Sequence, residues 1–218
     1  MSIIEAREVA WSFGSAPALR GATVAAAPGE ILAVTGPRGS GKSTLLYCLA
    51  GIFTPDGGEV HYDGRRVDTM PEPARTQLRR TAFGFVFRSG QLVPELTAAD
   101  TIALPMLVNR VRRGTAYARA ANWLDRLGLR GLGGRRIGEL SGGQVRRVAI
   151  ARALAVHPKV LFADEPAGSL RLLVGLARAD GVTVVLATRD RRVARVADRC
   201  VVVRDGRVSG AAEARAPR

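Results

Sequence analysis

Gly36-Pro37-Arg38-Gly39-Ser40-Gly41-Lys42-Ser43-Thr44 follows an apolar run, Ile31-Leu32-Ala33-Val34, and precedes a second apolar stretch from Leu45 to Ala50. Strand, glycine-rich loop and helix, in that order, are what a phosphate-binding loop requires. Glycines let the backbone curl until its N–H groups point inward at an anion. Lys42 adds a point charge for the outer phosphates, and Ser43 offers a hydroxyl to Mg²⁺. A flexible surface loop is the alternative, which the spacing and both flanks disfavour. The stretch predicts a nucleoside triphosphate as ligand.

Working outward, Ile3 to Ala27 reads as two or three strands with a turn around Gly14 to Pro17, and Glu30 to Thr35 as the buried strand feeding the loop. Glu59-Val60-His61-Tyr62 followed by Asp63-Gly64 reads as a hairpin. Pro71 to Arg80 is a short helix and Ala82 to Phe87 a strand. A helix-rich insertion runs from about Leu96 to Leu132, where Trp123, Leu124, Leu127 and Leu129 form an apolar face with Asp125 and Arg126 outside. Beyond it come a helix (Ser141 to Val156), a strand (Val160 to Asp164), a helix (Leu170 to Ala179) and a strand (Val182 to Thr188). A short helix from about Arg191 and strands at Cys200 to Arg204 and Arg207 to Ser209 complete the pattern. Strands alternating with helices, bounded by an antiparallel edge, predict an α/β core carrying a helical subdomain. Residues 1–210 read as one domain with the helical part inserted at about 95–140, and 211–218 as a disordered polar tail.

Two further motifs bear on chemistry. Val160-Leu161-Phe162-Ala163-Asp164-Glu165-Pro166 is a buried strand ending in two carboxylates. Asp164 would hold Mg²⁺ through water, and Glu165, one residue on, points elsewhere and can polarise an attacking water. Such pairs are common at strand ends, but behind a phosphate loop the signal is strong. Leu140-Ser141-Gly142-Gly143-Gln144 opens a helix with Ser141 as N-cap, presenting N–H groups and a positive dipole end to an anion. A simple helix start is the alternative there.

Composition sets the bounds. The 218 residues, 47% hydrophobic, suit one domain with a sizeable core. The longest apolar runs are too short to cross a bilayer and the N-terminus does not read as a signal peptide, so a cytoplasmic location is expected. Cys48 and Cys200 lie far apart in apolar stretches, the pattern of reduced, buried thiols. The net charge of +14 is almost all arginine, scattered along the chain, with Lys42 and Lys159 the only lysines. Aromatics are scarce and no stacking platform for bases appears, which weighs against nucleic acid as a partner. A basic surface would still favour an anionic membrane leaflet or acidic loops of a protein.

The three motifs in this order resemble the nucleotide-binding subunit of an ABC transporter: Walker A at Gly36 to Thr44, the signature at Leu140 to Gln144 and Walker B at Val160 to Glu165. The resemblance runs from Glu8 to about Gly210. Phe85-Val86-Phe87 with Leu92-Val93-Pro94-Glu95-Leu96-Thr97, and Arg147-Val148-Ala149-Ile150-Ala151-Arg152-Ala153-Leu154, are similar to the macrolide-export, lipoprotein-release and FtsE-like group. The resemblance implies an ABC-type P-loop ATPase core with an N-terminal antiparallel β subdomain and an inserted helical subdomain. It implies ATP and Mg²⁺ as ligands, with Gly36, Gly39, Ser40, Gly41, Lys42, Ser43 and Thr44 on the phosphates and Ser43 and Asp164 on the metal. Phe13 matches the aromatic that stacks on adenine; a buried strand residue is the alternative. In that family two subunits sandwich two ATP molecules, each between the Walker motifs of one and the signature of the other, and move a membrane permease. The location implied is the cytoplasmic face of the cell membrane.

Three positions break the family pattern. Arg88 stands where the Q-loop glutamine should follow Phe87, with Gln91 nearby but out of register. Arg189 stands where the switch histidine should follow Thr188, and neither His61 nor His157 reaches that position by a small shift. After Gly168-Ser169-Leu170 the D-loop aspartate is missing, and Arg171-Leu172-Leu173 begins what looks like the later part of the next helix. Guanidinium has donors only and stays protonated, so Arg88 cannot ligate a metal. Beside a dication it would suffer several kcal/mol of repulsion at an effective dielectric near ~20. Arg189 could reach a γ-phosphate, but cannot exchange protons as histidine does; an arginine that stabilises the transition state is the counter-reading. Nucleotide binding is therefore expected with slow or absent hydrolysis at this chain's own site, and an intact signature serving a partner subunit in a heterodimer. An FtsE-like signalling module on a non-transporting permease, and an ordinary active homodimer, are the alternatives.

Overall fold

In the computed structural model the described residues are 1–88, 91–166, 168–190, 193 and 196–213. Among the described residues ten strands form two sheets. The smaller is antiparallel, in the order β2-β1-β4-β5, and is built from β1 (Ile4–Phe13), β2 (Ala16–Ala26), β4 (Gly57–Tyr62) and β5 (Arg65–Arg66). The N-terminal segment thus supplies two long strands, not three.

The larger sheet has the order β10-β9-β3-β8-β7-β6. Its strands are β3 (Ile31–Thr35), β6 (Phe83–Val86), β7 (Val160–Asp164), β8 (Thr183–Thr188), β9 (Arg199–Arg204) and β10 (Arg207–Glu213). All neighbours pair in parallel except β9 with β10. β10 corrects the expected tail: Ala211, Ala212 and Glu213 pair with Val201, Cys200 and Arg199 past a bulge after Ser209. The backbone of an edge strand finds its partners in β9 whatever its side chains, so a polar composition did not prevent pairing. Residues 214–218 lie outside the described residues, as does most of the helix expected from Arg191.

The central strands are buried on both faces, and their period-two alternation divides the core. Ile31, Ala33, Leu161, Ala163, Val184 and Leu186 face one cluster. Leu32, Val34, Val160, Phe162, Val185 and Ala187 face the other. The first is covered by α3 (Ala98–Val108), α4 (Arg113–Arg126), α5 (Gly142–Leu154) and α6 (Leu170–Ala179). Within it Trp123, Leu124, Leu127 and Leu129 are buried while Asp125 and Arg126 are exposed, as their spacing predicts. The second cluster holds α1 (Lys42–Leu49) between the two sheets. A further helix, α2 (Glu72–Thr81), borders β6. Among the described residues no helix is long and apolar enough to cross a membrane. Both cysteines are free and buried.

This topology puts the chemistry in one place. β3, β8, β7 and β6 are successive neighbours, with Thr35 opposite Thr188, Ala187 opposite Asp164, and Ala163 opposite Val86. Their C-terminal ends therefore deliver the glycine loop, the 164–165 carboxylates, Arg189 and Arg88 to a single edge, where open α/β sheets bind ligands.

Candidate functional site

The loop after β3 is curled by glycines at positive φ, two of them with no room for a side chain. Gly36 has φ 147°, and a Cβ there would lie 2.1 Å from the carbonyl of Val203. Gly41 has φ 103°, and its Cβ would lie 2.5 Å from the carbonyl of Ala18. Gly41 is also the N-cap of α1, with no side-chain cap and no acidic residue in the first turn. The first N–H groups of the helix are thus left to whatever anion enters. Lys42 folds back under the loop: its Nζ donates to the Pro37 carbonyl at 2.7 Å and lies 3.5 Å from Ser40 Oγ. Burial lowers its pKa, opposed by the nearby Glu165.

The cleft above this loop has a volume of about 290 Å³. It is lined by Gly39, Ser40, Gly41, Lys42, Ser43 and Thr44, by Phe13 and Ala16 to Ala18, and by Arg38, Arg88 and Arg189. Gly36 lies beneath, against the backbone of Val203. Phe13 is 60% exposed, so it is not the buried strand residue of the alternative reading. It stands edge-on to Trp11 at 4.2 Å, and Trp11 stacks on Phe53 at 4.5 Å.

Ser43 Oγ donates to Oδ1 of the buried Asp164 at 2.9 Å. Tyr47, which the sequence reading missed, donates its hydroxyl to Oδ2 at 3.3 Å. Its signal was available: Tyr47 lies four residues after Ser43, one turn along the same helix face. Burial and the Asp164 charge both raise the Tyr47 pKa, which keeps it a donor. Among the described residues no three His, Cys, Asp or Glu side chains cluster as a metal cage. A Mg²⁺ ion here would need phosphate oxygens and water besides Ser43 and Asp164, the usual habit of that ion.

Glu165 has the left-handed φ of 49° and anchors its N–H to the Ala187 carbonyl at 2.8 Å. Its carboxylate is occupied. Oε1 accepts from Arg189 Nε at 3.0 Å and lies 3.6 Å from Arg88 Nη2. Oε2 accepts from Thr188 Oγ1 at 3.3 Å and from the Arg189 N–H at 3.4 Å. Thr188, also missed, is recognisable only once β7 and β8 are known to be neighbours.

Residues 19–168 match the family described as ABC transporter. The chain belongs to that family. It is 43% identical over 202 residues to the lipoprotein-releasing system ATP-binding protein LolD 1 of Rhodospirillum rubrum, spanning 88% of this chain and 89% of that protein. It is 40% identical over 217 residues to the macrolide export ATP-binding/permease protein MacB of Marinobacter nauticus, spanning 94% of this chain and 34% of that one. The dimeric post-hydrolysis structure of the ATP-binding cassette MJ0796 bound to ADP and Pi superposes with a TM-score of 0.88 at 32% identity, covering 98% of this chain and all of that one. The fold is that of an ABC cassette.

The Leu140 to Gln144 segment, read from the sequence as the signature, does not join the cleft. Ser141 caps α5 as expected, in a reciprocal pair: Gln144 N–H donates to its Oγ at 3.3 Å, and Gln144 Oε1 accepts from the Ser141 N–H at 2.8 Å. None of Leu140, Ser141, Gly142, Gly143 or Gln144 lines the cleft. Gly142 instead borders a separate cavity of about 220 Å³ with Arg88, Arg146, Pro166 and Ser169. Where the sequence predicts an altered D-loop, Gly168 and Ser169 form a turn and α6 starts at Leu170. The Gln91 backbone carbonyl accepts from Arg152 Nη1 at 3.0 Å. His61 is paired with Glu59 in β4, and His157 precedes β7, so neither approaches Arg189's position.

Proposed function

We propose that the chain is the ATP-binding subunit of a membrane complex of the lipoprotein-release or macrolide-export type, and that its own Walker site binds ATP but cleaves it slowly or not at all. Phe13 would take the base, the Gly36 to Thr44 loop with Lys42 the phosphates, and Ser43 and Asp164 the Mg²⁺. The ion would neutralise phosphate charge there. The observation that carries the impaired half of the proposal is the engagement of Glu165 by Arg189 and Arg88. A carboxylate acts as general base only with a lone pair free for water within hydrogen-bond reach. Here Oε1 faces guanidinium groups, and neither arginine can accept a hydrogen bond from water as a glutamine carbonyl does, or take up a proton as histidine does.

The Leu140 to Gln144 segment, outside the chain's own cleft, would face ATP held by a second ATPase subunit, which makes a heterodimer the favoured assembly. A permease would dock at the segment after Phe87 and the helical insertion. An apolar groove of about 500 Å³ runs between Phe87 and α3 of the insertion, with Ile52, Leu104 and Val108 exposed along it. Such a subunit would sit on the cytoplasmic side of the membrane, with no call for nucleic acid.

The test compares steady-state ATP turnover by the purified chain with turnover by the complex captured from native membranes. Tight ATP binding with negligible turnover alone, and turnover restored by a co-purifying second ATPase, is the expected result. Ordinary transporter rates from the isolated chain would overturn the impaired-site reading and favour the active homodimer.

A further inference from the structure

The carboxylate of Glu165 sits where two cationic side chains of the cleft wall converge, and each of those side chains has donors to spare. Arg189 grips Glu165 through Nε and the backbone N–H, and Arg88 approaches through Nη2 alone. A guanidinium carries five N–H donors, so neither grip exhausts its capacity. Both arginines are about half exposed, at 56% and 54% of their side-chain surface, whereas Glu165 is 12% exposed. The arginines are therefore the movable partners. Glu165 is the fixed one, held by its own backbone N–H on Ala187 and by Thr188 Oγ1. Arg88 and Arg189 also line the same cleft as Lys42 and Ser43.

We propose that Glu165 is a resident stand-in for a terminal phosphate: Arg189, with Arg88 beside it, binds the carboxylate while the cleft is empty and transfers to the γ-phosphate of a nucleoside triphosphate when one is bound. This rests on the reading of the cleft as an ATP site. The exchange is favourable because a terminal phosphate offers more negative charge and three acceptor oxygens, against one charge and two oxygens on Glu165. A diphosphate, seated on the loop N–H groups and Lys42, leaves the arginines on Glu165. Arg189 thereby becomes the residue that tells tri- from diphosphate, a task separate from cleavage.

Two opposed expectations separate ion-pair exchange from simple repulsion between Glu165 and phosphate. If Glu165 sequesters Arg189, Glu165→Gln frees the guanidinium and raises triphosphate affinity only while Arg189 is present. If Glu165 merely repels phosphate, removing Arg189 unmasks the repulsion, and Glu165→Gln helps more in its absence. The experiment measures equilibrium binding of the non-hydrolysable triphosphate AMPPNP and of ADP, with Mg²⁺, to the wild-type chain, Arg189→Gln, Glu165→Gln and the double variant. Circular dichroism establishes that each is folded.

Arg189→Gln is expected to weaken AMPPNP about tenfold and change ADP by less than about twofold, since one charge-assisted contact is worth roughly that ratio. Glu165→Gln is expected to strengthen AMPPNP several-fold in the wild-type background and negligibly in the Arg189→Gln background. Equal losses for AMPPNP and ADP in Arg189→Gln, or a larger Glu165→Gln gain in the double variant, would overturn the exchange while leaving the ATP-site reading intact. Folded wild-type protein that binds neither nucleotide would overturn both.

Discussion

Ser43 and Asp164, 121 residues apart, meet at 2.9 Å with the serine hydroxyl donating to the carboxylate. The bond joins the glycine loop to the end of β7 and fixes Asp164 before any ligand arrives. Ser43→Ala removes this donor, leaving Tyr47 as the side chain bonded to Asp164. Loss of one such bond is expected to lower stability by about 1 kcal/mol. More tellingly, the Mg²⁺-dependent part of nucleotide affinity is expected to fall at least about tenfold. Titrations in Mg²⁺ and in EDTA check this: a variant that keeps the wild-type difference would remove Ser43 from the metal site.

Restoring hydrogen-bond acceptors at the two arginine positions should release Glu165. Arg88→Gln with Arg189→His is expected to raise ATP turnover by at least about tenfold, a change of roughly 1.4 kcal/mol in the barrier. Unchanged turnover, measured by phosphate release, would point to the segment around Ser169 and Leu170 or to arginines that already suffice.

Phe13 and Trp11 provide an optical handle on the cleft. Their rings are 4.2 Å apart edge to face, and Phe13 is at the cleft wall. In a Trp123→Phe background, nucleotide binding is expected to change Trp11 emission. Phe13→Ala should weaken ATP about fivefold or more, since a stacked base is worth roughly 1–3 kcal/mol. An emission spectrum indifferent to saturating ATP would place the base elsewhere.

Two glycines of the loop should respond differently to the same substitution. Gly39 has φ 78° with open space around its missing Cβ, so Gly39→Ala carries about 1–2 kcal/mol of left-handed strain. Gly41→Ala adds a collision with the Ala18 carbonyl. Its Tm should fall visibly further than that of Gly39→Ala, at about 2–4 °C per kcal/mol for a chain of this size. Equal losses by calorimetry would mean that β2 yields at Ala18.

Burial drives the Cys48 thiol up to about 12 from its ordinary value of 9.0, and raises that of Cys200 as well. The native state therefore holds the Cys48 proton longer than the unfolded chain does. That contribution to stability is complete below about pH 9 and declines as pH rises toward 12. At pH 8 neither thiol is expected to react readily with a disulfide reagent until denaturant is added. Rapid native-state labelling of Cys48 would contradict its burial.

Local patterns revealed most elements because each was carried by a strong local signal. The apolar runs 160–164 and 170–179 coincide with β7 and α6, and the loop glycines with the curl they permit. What could not be read was adjacency. That β7 lies beside β8, so that Thr188 and Arg189 close on Glu165, follows from strand order, which no window of sequence contains. Tyr47 escaped because a tyrosine in an apolar helix reads as core; only its hydroxyl, aimed at Asp164, departs from that. Ala211 to Glu213 read as tail in the sequence because edge pairing leaves no hydrophobic trace.

The carboxylate held between two guanidinium groups also bears on how an idle copy of this protein behaves. A chain of net charge +14 with Lys42, Arg88 and Arg189 around one hollow would otherwise act as an ion exchanger, loading itself with whatever small oxyanion was abundant. By pairing with Arg189 and Arg88, Glu165 would serve as a built-in counter-ion against such fouling. It thus gives the retained acid a use that needs no bond to be broken.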